Sequence, residues 1–358
     1  MERAVYRIID ANFNRAREAV RVIEDFCRFA LNSATLYERA KQLRHRLSAA
    51  VNGLDAGELL ASRDTHGDVG VGKIVEPQLA RDSLQDCLTA GCKRLTEALR
   101  TLAEMLSAIG GQNRSIAETI EKLRFDAYAL EKDIAMFGGP AEKFKQVGLY
   151  VVITSNLPAD IIFFTHKCIA GGADCIQLRT KGIDDVTLFA VAAEFVKICK
   201  NAGVLSIIND RADVAVTAGA DGVHLGQNDL PIEQARKLQL APLVIGKSTH
   251  SLKELRTACD ELPTYISVGP VFASPTKPNI EVAGLDYVKE AAAELAGAGI
   301  GSVAIGGITL ENVEEVLNAG AKAVAVCSAM TKAADPTSLC RKLKERITRF
   351  KKSLGNTD

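Results

Sequence analysis

Two aspartates, and a group of cationic and amide side chains placed at the ends of short apolar runs, are the residues of this chain best suited to chemistry. Asp210 closes the run Ser206-Ile-Ile-Asn-Asp210, and Asp229 follows shortly after Gly222-Val-His-Leu225. Two carboxylates with no Cys or His cluster beside them suit a hard, oxygen-seeking cation such as Mg²⁺, which takes one or two carboxylates and completes its shell with water and phosphate oxygens. Asp229 also precedes Leu230-Pro231-Ile232-Glu233, where a helix begins, so capping competes with ligation at that position. Asp210 and the nearby cations favour the metal.

A second run ends in Gln177-Leu178-Arg179-Thr180-Lys181. Strand alternation places Gln177, Arg179 and Lys181 on one side and Leu178 on the other. An amide, a guanidinium and an ammonium are costly to bury together without an anion, so that side reads as a phosphate or diphosphate grip. Arg179 supplies a planar fork and Lys181 a compact point charge. Further runs end in Lys247-Ser248-Thr249-His250, which offers a hydroxyl, and in the loop Gly269-Pro-Val-Phe-Ala-Ser274-Pro275-Thr276-Lys277-Pro278. Two hydroxyls and a Lys in a proline-stiffened loop make an anion grip with little ordering entropy to lose. Gly306-Gly307 exposes backbone N–H groups, and Cys327-Ser328 stands before a helix. The mouth therefore has two anion sites, one metal-assisted and suited to a diphosphate, the other made of backbone and suited to a monophosphate. No Ser-His-Asp or Cys-His set can be assembled, so covalent catalysis is not expected. His224 reads as packing or as a contact to a neighbouring side chain.

The elements that must carry these ends follow from periodicity. Eight β-rich runs, beginning at Leu149, Cys175, Ser206, Gly222, Val244, Tyr265, Val303 and Ala323, alternate with helix-length segments. Ser251-Leu-Lys-Glu254 is a capping box, and Ala-Gly-Ala at 218–220 and 319–321 suits left-handed helix ends just before strands. Eight β/α units predict a (β/α)₈ TIM barrel over residues 147–352, with every strand delivering its C-terminal end to one rim. An open doubly wound sheet is disfavoured, because no Gly-x-Gly-x-x-Gly follows the first strand.

Residues 1–138 read differently, as an all-helical N-terminal domain. Ala19, Ile23, Phe26 and Ala30 form one helical stripe, and Leu84, Leu88, Gly91, Leu95, Ala98, Leu102 and Met105 another. Ser115-Ile-Ala-Glu118 predicts a helix start, and Phe137-Gly138-Gly139-Pro140 predicts a helical break at the domain boundary. The polar run Arg63-Asp64-Thr65-His66-Gly67-Asp68-Val69-Gly70 is either a phosphate- or metal-binding loop or a plain interhelical turn.

Lys+Arg 44 balances Asp+Glu 44, which removes any overall field toward nucleic acid or anionic membrane. Hydrophobic residues at 47% and charged residues at 25% are ordinary for a globular chain. The charged N-terminus and the lack of a long apolar run point to a cytoplasmic protein without a membrane span. The 9 Cys are scattered with no Cys-x-x-Cys, as reduced, mostly buried thiols would be. A homo-oligomer is compatible with this composition.

In this order, Gln177-Leu-Arg-Thr-Lys181, Ile208-Asn-Asp210, Gly222-Val-His-Leu-Gly-Gln-Asn-Asp229, Gly246-Lys-Ser-Thr-His250, Gly269-Pro-Val-Phe-Ala-Ser-Pro-Thr-Lys277 and Ile305-Gly-Gly307 closely resemble the thiamine-phosphate synthases over about residues 147–350. The resemblance implies a transferase that joins hydroxymethylpyrimidine diphosphate to thiazole phosphate and releases diphosphate dissociatively, through a pyrimidine carbocation. It implies Gln177, Arg179, Lys181, Asn209 and Lys277 for the pyrimidine diphosphate, with Leu178 and Thr180 in the same segment. Asp210 and Asp229 would hold Mg²⁺. Ser248 would touch the pyrimidine or the departing diphosphate, and Ser274, Thr276, Gly307, Cys327 and Ser328 would line the thiazole phosphate side, with Pro275 a further substrate-binding residue. Arg179, Lys277 and Ser248 would act on the reacting groups. Thr180 stands where the family often has Glu, and Cys327 where it usually has a small aliphatic residue.

The N-terminal half resembles a helical domain fused ahead of some of these synthases. That domain is thought to phosphorylate the pyrimidine phosphate, which implies ATP as a further partner, although this half has no Walker-type phosphate loop. Two other readings of the barrel remain at this point: a relative that isomerises the thiazole phosphate, and a non-catalytic phosphate-binding sensor.

Overall fold

Apolar spacing of three and four residues becomes buried helix faces throughout the first part of the chain. The structure is a computed structural model that describes residues 2–70, 73, 81–111, 113–238, 241–273 and 281–355. It divides into two compact units, residues 1–135 and 136–358. The first unit holds α1 (Glu2–Asp25), a π-helical turn (Phe26–Ala30), α2 (Ala34–Val51), α3 (Ala56–Ser62), α4 (Leu84–Ile109) and most of α5 (Asn113–Phe144). Ser33, Asp55 and Ser83 accept backbone N–H groups at the starts of α2, α3 and α4, which is why those helices begin where they do. Leu88, Gly91, Leu95, Ala98 and Leu102 of the predicted stripe are buried. Gly91 lets α1 and α4 approach closely: a Cβ there would stand 3.3 Å from Val22 Cγ1.

Three local expectations are corrected. Leu84 is 62% exposed and lies off the buried stripe, since it is the first residue of its helix. Ser115 does not open a helix, because α5 begins two residues earlier at Asn113. Phe137-Gly138-Gly139-Pro140 does not break the helix, which runs on to Phe144 with Pro140 inside it. Proline removes one donor and crowds the preceding turn, and two glycines just ahead of it reduce that crowding.

In the second unit β1 (Leu149–Thr154), β2 (Cys175–Arg179), β3 (Leu205–Asn209), β4 (Gly222–Leu225), β5 (Val244–Thr249), β6 (Tyr265–Val268), β7 (Gly301–Ile305) and β8 (Ala323–Val326) pair in parallel. Strand order is sequential and closes β8 onto β1, so the predicted (β/α)₈ barrel is what forms. Between and after the strands lie α6 (Pro158–Ala170), α7 (Asp185–Ala202), α8 (Ala212–Thr217), α9 (Ile232–Leu238), α10 (Leu252–Asp260), α11 (Gly284–Glu294), α12 (Val313–Asn318), α13 (Ser328–Thr331) and α14 (Pro336–Gly355). Ser251 caps α10 as expected, and Gly219 and Gly320 turn their helix ends at φ of 71° and 101°.

Inward side chains stack in layers from the floor to the rim. The floor is apolar and includes Tyr150, Cys175, Ile207, Val244, Tyr265, Val303 and Ala323. Phe144, from the last turn of α5, closes it by stacking on Tyr265 with ring centroids 4.2 Å apart and planes 2° from parallel. With the floor sealed by hydrophobic contacts, polar inward residues accumulate at the opposite, C-terminal rim. Among the described residues no helix is long and apolar enough to cross a membrane.

Candidate functional site

Register places the chemistry-bearing side chains at one height. Thr154 pairs with Arg179, Gln177 with Ile207, and Asn209 with His224, so the ends of β1 to β4 reach the rim together. A cavity of about 420 Å³ opens there, within the ordinary range of small-ligand pockets. It is lined by Gln177, Arg179, Lys181, Asn209, Asp210, Asp229 and Ser248 from β2 to β5 and their loops, and by Gly307, Cys327 and Ser328 after β7 and β8. The apolar part of the lining comes from Val152, Pro270, Ile305, Ile308 and Ala325.

Asp210 reaches the mouth through an unusual backbone. Its φ is +62°, a left-handed conformation that Asp and Asn tolerate better than other side chains, and its N–H donates to the His224 carbonyl at 2.8 Å. Asp229 does not cap the following helix. Its Oδ2 accepts the Gly226 N–H at 2.6 Å, and an added Cβ on Gly226 would lie 2.9 Å from that same oxygen. The Asp229 carboxylate lies close enough to Asp210 to disfavour its ionisation. Burial first, then Asp229, pushes the Asp210 carboxyl up to about 6, while Lys181 and Arg179 pull it down. A divalent cation would relieve that crowding, and the two carboxylates match what Mg²⁺ asks of a protein. Among the described residues there is no cluster of three or more metal-binding side chains, so water and ligand oxygens would complete any such shell.

Gln177 is buried, and its amide donates to Asn209 Oδ1 at 3.3 Å, which orients both groups at the cavity wall. Arg179 and Lys181 form no ion pair within 4.0 Å among the described residues. Their charge is thus available to an anion in the cavity. Two residues of this segment are placed elsewhere. Leu178 is 1% exposed on the outward face of β2, beneath the helices, because alternation sends it away from the barrel axis. Thr180 turns to Asn156, whose Oδ1 accepts from both the Thr180 hydroxyl and the Lys181 N–H at 3.1 Å. Neither side chain lines the cavity: Leu178 packs in the core between strand and helices, and Thr180 braces its loop through Asn156.

Gly306 and Gly307, with φ of 107° and 63°, let the β6 loop pass close to the end of β7. Cβ atoms there would lie 2.6 Å from Pro270 and 2.7 Å from Phe272 or the Ala273 carbonyl. Thr154 and Cys327 are in contact through Oγ1 and Sγ at 3.4 Å. Ser274, Pro275, Thr276 and Lys277 lie outside the described residues.

Several lining residues went unassigned in the sequence. Ser267, Gln227 and His250 face the cavity, and Gln227 donates to the Ser248 carbonyl. Alternation from Tyr265 would have found Ser267; Gln227 and Asn156 sit in loops with no periodic signal. In the first unit Arg63 holds Asp10 in a two-pronged ion pair at 2.6 and 2.7 Å. Asp64 and Asp68 accept the Gly67 and Gly70 N–H groups at 2.9 Å, as in an ordinary polar turn.

Comparison with known proteins places both halves. The thiamine monophosphate synthase family matches residues 149–330, and the ThiD2 family matches residues 7–133. A curated thiamine-phosphate synthase of Thermosynechococcus vestitus is 37% identical over 345 residues, 96% of this chain and 95% of that protein. Another, from Rhodopirellula baltica, is 38% identical over 335 residues, covering 92% and 88%. The solved thiamine phosphate pyrophosphorylase of Pyrococcus furiosus is 32% identical, with a TM-score of 0.53, and covers 58% of this chain and 98% of its own.

Proposed function

This chain belongs to the thiamine-phosphate synthase family of transferases, and from that premise we propose that its cavity joins hydroxymethylpyrimidine diphosphate to thiazole phosphate with Mg²⁺ as the resident metal. The observation that carries the reading is convergence: two carboxylates and two cations, from β2 to β4 and their loops, face one cavity. Asp210 and Asp229 would hold Mg²⁺, which would supply positive charge against the diphosphate.

The side chains have separable tasks. Arg179 and Lys181 hold the diphosphate and stabilise the charge that grows as its bond to the pyrimidine methylene lengthens. Gln177, oriented by Asn209, fixes the pyrimidine end. Ser248 donates a hydroxyl toward the same region. Gly307, Cys327 and Ser328 face the thiazole phosphate, so its ring nitrogen meets the pyrimidine carbocation from the opposite side. The family resemblance also implies Lys277 as a further cation for the diphosphate. Val152, Ile305 and Ala325 give the rings an apolar wall and limit water at the cation.

The test is release of diphosphate and formation of thiamine phosphate on mixing both substrates with Mg²⁺ and the full chain. Isomerisation of the thiazole phosphate with no diphosphate released would sink the proposal. A separate check uses the Asp210 shift. A folded-state value near 6, against about 4 for an unfolded Asp, means that ionisation opposes folding of the metal-free protein as pH rises through about 6. The ionised pair is the form that would hold Mg²⁺. Mg²⁺ is expected to raise the melting temperature by about 3 °C at pH 7.5 and by much less at pH 5. Asp210→Asn is expected to remove the gain; an equal gain in that variant would place the metal elsewhere.

For the helical unit, we propose an ATP-dependent phosphorylation of the pyrimidine monophosphate, supported by the ThiD2 match. The full chain carrying Asp210→Asn, which blocks the barrel step, is expected to consume ATP only when pyrimidine monophosphate is present. No consumption above buffer would leave that unit a structural domain.

A further inference from the structure

We propose that His224 is a positioning residue that sets the direction in which the Ser248 hydroxyl presents its proton to the cavity. The proposal rests on the role given to Ser248 above. His224 points inward from β4, with Nε2 2.9 Å from Ser248 Oγ and Nδ1 2.9 Å from the Tyr265 hydroxyl. Tyr265 is in turn 2.8 Å from the Tyr150 hydroxyl. A continuous polar chain thus runs from the apolar floor of the barrel up to a residue that lines the cavity.

The chain is held rigidly. Phe144 stacks on the Tyr265 ring, and the His224 ring lies over it at 5.5 Å and 27°. Gly246 leaves the space both rings use: a Cβ there would stand 2.2 Å from Tyr265 Cζ and 2.5 Å from His224 Nδ1. Tyr150 and Tyr265 are 2% and 1% exposed, and burial drives both phenols well above their ordinary range, so each keeps its proton. A barrel this small would more simply fill its floor with aliphatic side chains, and buried polar groups persist only when each finds a partner.

Proton counting selects a direction. A neutral imidazole donates from one nitrogen and accepts at the other. In one arrangement Tyr150 donates to Tyr265, Tyr265 to Nδ1, and Nε2–H to Ser248 Oγ, which also accepts from the Ser267 hydroxyl at 3.5 Å, leaving the serine proton for the cavity. In the reverse arrangement Ser248 donates inward, and the last phenol proton, on Tyr150, is left facing the thiol of Cys175. A thiol is a weak acceptor, whereas the cavity is built for anionic oxygens. The first arrangement matches every strong donor with a strong acceptor, and linked bonds of this kind reinforce one another. No proton is transferred along the chain; it orients one hydroxyl.

Turnover of single and double variants tests this. Ser248→Ala is expected to lower kcat about 10- to 100-fold with little change in KM. His224→Phe should fall within about threefold of Ser248→Ala, and the double variant should fall no further. His224→Gln can place an amide N–H near the Nε2 position and should recover most of the rate, whereas His224→Asn, which reaches only Tyr265, should not. If His224→Phe does not fold, Tyr265→Phe keeps the ring stack, removes the hydroxyl, and must be non-additive with Ser248→Ala. Additive losses, or equal rates for the Gln and Asn variants, would overturn the positioning role of His224 while leaving the site reading intact. Wild-type turnover by Ser248→Ala would overturn both.

Discussion

Replacing Asp210 by asparagine is expected to cut thiamine phosphate formation by about a thousandfold while the protein stays folded. In the proposed mechanism Asp210 would help hold positive charge at the leaving diphosphate; losing it would remove several kcal/mol of transition-state stabilisation, and each ~1.4 kcal/mol is a factor of ten in rate. Asparagine is the informative replacement. It tolerates the φ of +62° at this position and keeps the backbone N–H bond to the His224 carbonyl, so a structural excuse for lost activity is removed. Alanine would add strain at the same site. Burial and Asp229 already hold the Asp210 carboxyl up at about 6, so the missing charge is one the cavity strains to keep. Steady-state rates at saturating Mg²⁺, beside a thermal melt, decide the matter. A folded Asp210→Asn enzyme within tenfold of wild type would remove the carboxylate pair from the mechanism.

Arg179→Ala is the second large effect, a loss of about a hundredfold in kcat/KM for the pyrimidine diphosphate. Arg179 ends β2 half-buried, lines the cavity and has no carboxylate partner within 4.0 Å among the described residues. Its removal should cost little stability, because no buried ion pair is broken. Arg179→Lys keeps the charge and loses the two-pronged geometry, so its rate should fall between those of wild type and alanine. Equal kcat/KM for wild type and Arg179→Ala would show that the diphosphate binds without this side chain.

Much of the barrel was legible because two periodicities coincide in it. Short apolar runs of strand length alternate with capped helices, and eight such runs have one economical closure. Strand alternation then decided which side chains face inward, and Gln177, Arg179, Asn209 and Ser248 all line the cavity. It separated Leu178 from its neighbours for the same reason. The helical unit was less legible. A stripe of apolar residues says that a face is buried, and leaves open where its helix starts. Hence Asn113 opens α5 ahead of the capping pattern at Ser115, and Pro140 is carried inside a helix whose local composition argued for a break.

The chain's own order of residues determined the two grammars, the count of β/α units and the chemical types gathered at the strand ends, because these depend on near neighbours and on hydrophobic spacing. Only the folded molecule decided that Asp210 and Asp229 crowd each other, that Thr180 serves Asn156, and that Tyr150, Tyr265, His224 and Ser248 form one line. Those relations join residues from different strands or from the loops that follow them. Barrel closure and strand register set their distances, and no local spacing contains that information.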